Sequence, residues 1–172
     1  MNQSNNNRKL YIICNNIRSL YNVGSILRTS DAVGIVTKIY FTGITGYPKQ
    51  NDLLHHQNLR IAKTSLGAEK YLNYEYIKDT TQIINKLKKN KIYIYSLENN
   101  IKHPSINEYS KTIYNFPMAL IIGNELHGID KSIINLSDHC VYIPMNGKKE
   151  SLNVASAYAI AVYEILKQFS AS

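Results

Sequence analysis

Three short stretches of the chain hold polar residues of types that can act chemically. In the first, Asn22-Val-Gly-Ser-Ile-Leu-Arg28-Thr-Ser-Asp-Ala-Val-Gly34, Asn22 is a good helix N-cap. Arg28 then falls about two turns into an otherwise apolar amphipathic pattern. A guanidinium there can grip phosphate or carboxylate through two parallel hydrogen bonds, or it can pair with Asp31 on the helix surface. In the second, Ile121-Ile-Gly-Asn-Glu-Leu-His-Gly128, an apolar strand runs into a glycine-framed loop that presents Asn124 and Glu125. Ligands of open α/β sheets collect beyond the carboxyl ends of strands, where glycine lets backbone approach them. An ordinary strand-to-helix turn has the same composition, and neither the dinucleotide GxGxxG spacing nor a P-loop is present. The third, Ile143-Pro-Met-Asn-Gly-Lys-Lys-Glu-Ser-Leu-Asn153, again joins a strand end to a glycine loop and a helix start. Ser151 suits the N-cap of that helix and lacks the His-Asp pair a nucleophilic serine would need. Lys148 and Lys149 can hold phosphate or simply keep the loop soluble, while Asn153 sits on the first turn of an otherwise apolar helix.

Elements must position these groups. Lys9 to Cys14 reads as a buried strand, followed by a turn at Asn15-Asn16 and a helix from Asn22 closed by Gly34. Lys38 to Thr42 is a second strand, leading into a loop that runs from Gly43 to Asn58. The section from Leu59 to Tyr76 gives no clear local pattern. Asp79 caps a helix bearing Ile83, Ile84 and Leu87, with Lys86, Lys88 and Lys89 near its negative end. Lys91 to Leu97 and Met118 to Gly123 are further strands, Asp130 opens a short helix through Leu136, and Cys140 to Pro144 is a fifth strand. Ser151 to Phe169 is the last helix. Strands alternating with helices predict a three-layer α/β fold with a mainly parallel sheet and helices on both faces. The last helix is apolar along Leu152, Ala155, Ala159 and Leu166 and also along Val154, Tyr158, Ala161 and Ile165. It is therefore central to the core, or its second face meets another subunit in a homodimer.

The 172 residues suit one domain, expected over 9–172 behind a flexible tail at 1–8. Lys and Arg number 20 against 12 Asp and Glu, a formal charge of +8, which favours a polyanionic partner such as nucleic acid. Cys14 and Cys140 have neither zinc-site spacing nor a disulfide pattern, and His55, His56, His103, His127 and His139 show no ligand spacing, so no metal is expected. No apolar run approaches the length of a membrane span and the start has no leader-like pattern, so a cytoplasmic protein with buried thiols is expected.

Taken jointly, the three stretches resemble the three motifs of the SpoU/TrmH branch of the SPOUT methyltransferases. Asn22, Gly24, Arg28, Thr29 and Gly34 fall on the first motif. Gly123, Asn124, Glu125 and Gly128 fall on the second, and Ile143, Pro144, Met145, Gly147, Ser151, Leu152 and Asn153 on the third. Order and separation agree from Lys9 to Phe169. The resemblance implies a five- or six-stranded sheet whose C-terminal part threads into a deep trefoil knot. It implies S-adenosyl-L-methionine (SAM) bound by Leu97, Gly123, Asn124, Glu125, Gly128, Ile143, Pro144, Met145, Ser151 and Leu152, in a site completed across a homodimer. The implied activity is transfer of a methyl group to a ribose 2′-hydroxyl of RNA. Arg28 is central to that activity, with Asn22, Glu125, Ser151 and Asn153 around it; Glu125 orients neighbouring donors or Arg28. Transfer RNA is the favoured substrate and ribosomal RNA the second. Larger members of the branch carry an N-terminal RNA-binding domain for which no room is expected before Lys9, leaving recognition to the core, including Gly43 to Asn58 and Lys148-Lys149. A non-catalytic RNA-binding module would need no such polar set, and a nucleotide-dependent oxidoreductase would call for a glycine-rich turn after the first strand, where Asn15 to Gly24 holds one glycine, at its end.

Overall fold

The computed structural model describes residues 8–49, 55–99, 101 and 103–170. The chain alternates strand and helix: β1 (Leu10–Asn15), α1 (Leu20–Val33), β2 (Val36–Thr42), α2 (His56–Ser65), β3 (Tyr74–Ile77), α3 (Thr80–Lys89), β4 (Tyr93–Leu97), β5 (Ile106–Glu108), β6 (Met118–Ile122), α4 (Lys131–Ile134), β7 (His139–Tyr142) and α5 (Val154–Ser170). All strand pairs are parallel, in a seven-stranded sheet of order β3-β2-β1-β6-β4-β7-β5. The sheet has two strands more than the sequence pattern shows, because β3 and β5 are short edge strands with half-exposed side chains and no apolar run.

Side chains alternate across the sheet. Ile12, Cys14, Phe41, Leu120 and Ile122 face α1 and α5, whereas Ile13, Tyr40, Ala119, Ile121 and Cys140 face α3 and α4. Both faces are thus covered, which is why β6 is apolar throughout: every residue of Met118–Ile122 is buried. Both cysteines are buried free thiols. Among the described residues no helix is long and apolar enough to cross a membrane, and no cluster of His, Cys, Asp and Glu could hold a metal ion.

Helix α1 is capped by Ser19, whose hydroxyl accepts from the Asn22 N–H, rather than by Asn22. Gly34 ends it in the left-handed conformation at φ 67°, where its N–H reaches the Asp31 carbonyl. Asp79 caps α3 as expected. Helix α2 begins at His56, inside the stretch expected to be loop, and positions 50–54 of that loop lie outside the described residues. Gly24 has no room for a Cβ because Thr64 and the Ile61 carbonyl of α2 press against it. Helices α1 and α5 are joined by a buried hydroxyl pair 2.7 Å apart, in which Ser30 donates to the Ile26 carbonyl and Tyr158 donates to Ser30. Of the expected tail, residues 1–7 lie outside the described residues; Arg8 donates to the Phe169 carbonyl at 2.7 Å.

Candidate active site

The sheet changes winding direction beside β1 and β6: the chain leaves β1 toward β2 and β3 on one side, and leaves β6 toward β7 on the other. A crevice opens beyond the carboxyl ends at such a point. There, β4, β6 and β7 deliver their loops around a cavity of about 530 Å³. Its lining includes Leu97, Ile122, Ile143 and Ala157 as apolar surface, Gly123, Asn124, Glu125 and Gly128 from the loop after β6, and Ser151 and Leu152 ahead of α5. Pro144 and Met145 are not part of the lining, and neither is Arg28.

The loop after β6 is closed on itself. Asn124 and Gly128 exchange both backbone hydrogen bonds, at 3.1 and 2.9 Å. The Asn124 side chain accepts from the Leu126 and His127 N–H groups and donates to the Asn16 carbonyl at 2.7 Å. Gly128 sits at φ +66°, and a Cβ there would meet the Glu98 carboxylate; a Cβ on Gly123 would meet the Gly128 carbonyl. Both glycines are required by this crowding.

Glu125 points toward the start of α1. Its carboxylate accepts from the backbone N–H groups of Arg18 and Ser19, each at 2.9 Å, and from the Asn22 side-chain amide at 2.8 Å. Partial burial acts to raise its pKa, but the hydrogen bonds from Arg18, Ser19 and Asn22 together hold it below the ordinary carboxylate value. An ionised carboxylate saturated with donors at a helix N-terminus is an anchor and a poor base. The other oxygen-bearing end of Asn22 accepts from the Asn153 side-chain amide at 3.1 Å. Asn153, not Ser151, caps α5: its side-chain Oδ1 accepts from the Ala155 and Ser156 N–H groups at 3.0 and 3.3 Å, and the helix begins at Val154. Ser151 is exposed at the cavity rim. One chain of hydrogen bonds, Glu125 to Asn22 to Asn153, therefore fastens the three stretches together.

Arg28 is exposed on α1 and makes no hydrogen bond or ion pair among the described residues; Asp31 does not pair with it. Six residues along a helix turn it about 240° from Asn22 and move it about 9 Å along the axis. Glu125 therefore orients Asn22 and the Arg18 and Ser19 amides just ahead of α1, and has no hydrogen bond or ion pair with Arg28.

Among the lining residues not anticipated from the sequence, two bind neighbouring backbone through their side chains. Glu98 and Asn99 follow β4 directly. Glu98 accepts from the Ile129 N–H at 2.7 Å and the Asn99 N–H at 2.9 Å. The Asn99 side chain accepts from the Ile143 N–H at 3.2 Å and donates to the Ile143 and Glu150 carbonyls. The pair thus ties the loop after β6 to the segment after β7. The available signal was position alone: a carboxylate directly beyond the carboxyl end of a buried parallel strand.

Comparison with known proteins identifies the family and the fold. The model of the SpoU rRNA Methylase family matches residues 9–163. The tRNA (guanosine(18)-2′-O)-methyltransferase of Aquifex aeolicus (strain VF5) is 27% identical over 161 residues, which are 94% of this chain and 70% of that protein. The crystal structure of the A. aeolicus TrmH/SpoU tRNA modifying enzyme superposes with a TM-score of 0.76 at 28% identity, covering 92% of this chain and 74% of that one. The SpoU methyltransferase AviRb from Streptomyces viridochromogenes, in complex with the cofactor AdoMet, shares the fold at a TM-score of 0.79 and 23% identity, over 94% of this chain and 58% of that one. This chain thus spans between 58% and 74% of the length of these relatives. A match that takes in all three stretches and nearly the whole described sheet places the chain in the SpoU rRNA methylase family.

Proposed function

We propose that this protein is a SAM-dependent RNA methyltransferase that modifies a ribose 2′-hydroxyl, with tRNA as the favoured substrate and ribosomal RNA as the second. The observation that carries the reading is the Glu125–Asn22–Asn153 chain, which brings the three motif stretches together beside one cavity at the carboxyl edge of the sheet. The names of the A. aeolicus relatives support tRNA and the 2′-hydroxyl, and the cofactor complex of AviRb supports SAM.

The cavity suits SAM. Its volume of about 530 Å³ lies in the ~300–1,000 Å³ range of small-molecule sites. Leu97, Ile122, Ile143 and Leu152 offer apolar surface for an adenine ring, and the glycines at 123 and 128 bring backbone N–H and carbonyl groups close. SAM supplies an electrophilic methyl group on a sulfonium. The protein's own task is then to align the attacking oxygen with that methyl and to ease loss of the hydroxyl proton.

Arg28 is the residue best suited to the acceptor. With a pKa of ~12 or above, a guanidinium does not serve as a base near neutral pH. It acts by binding the phosphate beside the target ribose and by stabilising the developing oxyanion. Arg28 lies outside the cavity of its own chain, and α1 and α5 present Tyr21, Ile160 and Tyr163 to solvent, 46%, 38% and 53% exposed. These features support a homodimer in which α1 of one copy brings Arg28 to the cavity of the other. The knotted path remains part of the same reading, supported by the insertion of β7 between β4 and β5 and by the grip of Asn99 on Ile143 and Glu150.

The test is transfer of labelled methyl from SAM to unmodified tRNA and ribosomal RNA, followed by mapping of 2′-O-methyl positions. Methylation at ribose in tRNA is expected. Label on a base, or no transfer to either RNA, would overturn the reading.

A further inference from the structure

We propose that Glu98 is the anionic recognition residue of the cavity, giving it a preference for the cationic methyl donor over the neutral thioether left after transfer. The inference rests on the assignment of SAM to this cavity. The five other acids and bases of the lining do not share the role. Glu125 lines the cavity but its carboxylate is saturated by Arg18, Ser19 and Asn22, while His127, Asp130, Lys131 and Glu150 are exposed. Glu98 is half-buried between the loop after β6, whose Ile129 N–H it accepts, and its neighbour Asn99, which binds the segment after β7.

Its surroundings leave it short of positive charge. The carboxylate has two neutral partners, the N–H groups of Asn99 and Ile129. No ion pair reaches it among the described residues. Burial pushes its pKa up, with those two hydrogen bonds opposing the rise. Keeping a half-buried carboxylate without a cation opposes stability, and the arrangement is relieved by a positively charged ligand. The position is fixed on two sides: the carboxylate occupies the place a Cβ on residue 128 would take, and Asn99, its neighbour, is bound to Ile143 and Glu150. Glu98 therefore cannot swing away from the cavity without breaking its bond to the Ile129 N–H.

The charge of the ligand changes in the reaction. Transfer from bound SAM would break the S–CH₃ bond, leave its electron pair on sulfur and form the O–CH₃ bond, with the hydroxyl proton passing to solvent, so a sulfonium would become a neutral thioether. A fixed anion facing the cavity favours the first state over the second, and so favours exchange of product for fresh donor.

Titration calorimetry on the full chain with SAM, S-adenosylhomocysteine and sinefungin, a non-reactive analogue carrying an amine where SAM has its sulfonium, tests this. For Glu98→Gln, SAM affinity is expected to fall about tenfold and S-adenosylhomocysteine affinity by less than about threefold. Equal losses for both ligands would mean that Glu98 only shapes the loop, and would overturn the inference, as would no loss for either. Should Glu98→Gln fail to fold, the wild-type protein still decides: sinefungin must bind more tightly than S-adenosylhomocysteine by at least about fivefold, and equal affinities would refute the charge preference. Absence of binding by all three ligands to wild type would instead overturn the cofactor assignment, and the inference with it.

Discussion

Replacing Glu125 by Gln tests the central joint of the site. One carboxylate oxygen accepts from the Ser19 N–H and the Asn22 amide, and the other from the Arg18 N–H. Glutamine keeps one oxygen and turns an NH₂ group toward the remaining donors, so at least one contact becomes donor against donor. A hydrogen bond to a charged group contributes about 1.5–3 kcal/mol, and a negative charge at a helix N-terminus about 0.3–1 kcal/mol. Arg18 is exposed, so water replaces part of what is lost and the expected cost shrinks to about 1–2 kcal/mol. For a chain of this size that corresponds to a fall of about 2–8 °C in Tm. Because the same oxygen holds Asn22, and Asn22 holds Asn153, methyl transfer should fall by more than about tenfold while the Kd for SAM changes little. Differential scanning calorimetry and single-turnover transfer on tRNA measure the two effects. A variant with unchanged Tm and unchanged turnover would show that the Glu125–Asn22–Asn153 chain does not hold the site together.

Arg28→Lys should leave Tm and SAM binding near wild type, since Arg28 has no partner among the described residues, but should lower single-turnover transfer by at least about tenfold through loss of the planar fork. Gly128→Ala places a Cβ against Glu98 at a positive φ. That strain of about 1–2 kcal/mol, together with displacement of the Glu98 carboxylate, should weaken SAM binding by about tenfold or more in calorimetry. The pH dependence of Tm reads the charge of Glu125: with its folded pKa below the ordinary value, its stabilisation is complete above the unfolded value of about 4.3 and is lost as pH falls through the lower folded one. The Tm gap between wild type and Glu125→Gln should therefore close in acid. In the proposed homodimer, Tyr163→Asp, on the exposed side of α5, should shift sedimentation velocity from dimer to monomer and reduce transfer in parallel.

Much of this architecture is legible in the residues. The strands β1, β2, β4, β6 and β7 stand out, β6 as a fully apolar run and β4 by its alternation, and Asp79, Gly34 and the lysines closing α3 act as capping rules expect. What the sequence hides is the choice between neighbouring groups of equal propensity. Ser19 and Asn22 both suit an N-cap, as do Ser151 and Asn153, and in each pair the local pattern cannot decide. The fold decides by tertiary contact: Asn22 is drawn one turn into α1 so that its amide can bridge Glu125 and Asn153, residues 103 and 131 positions away. The edge strands β3 and β5 are hidden for another reason, since three or four half-exposed residues are set by their neighbours' ladders more than by their own composition. Glu98 and Asn99 carry no pattern of their own, and only the closure of the sheet shows that they face a cavity.

The long span of that hydrogen-bonded joint bears on how the protein acquires its chemistry. Asn22 waits for partners that are synthesised more than a hundred residues later, and the cavity wall is finished by Ser151, Leu152, Val154 and Ala157. A nascent chain extended through β4 can pair β1, β2 and β3, but β4 has no partner strand until β6 is made, and there is no pocket. Competence thus arrives late and all at once. Affinity for the cofactor should appear only in chains extended past the first turn of α5, so a ligand-binding signal from ribosome-bound intermediates of increasing length would mark the moment at which the fold closes.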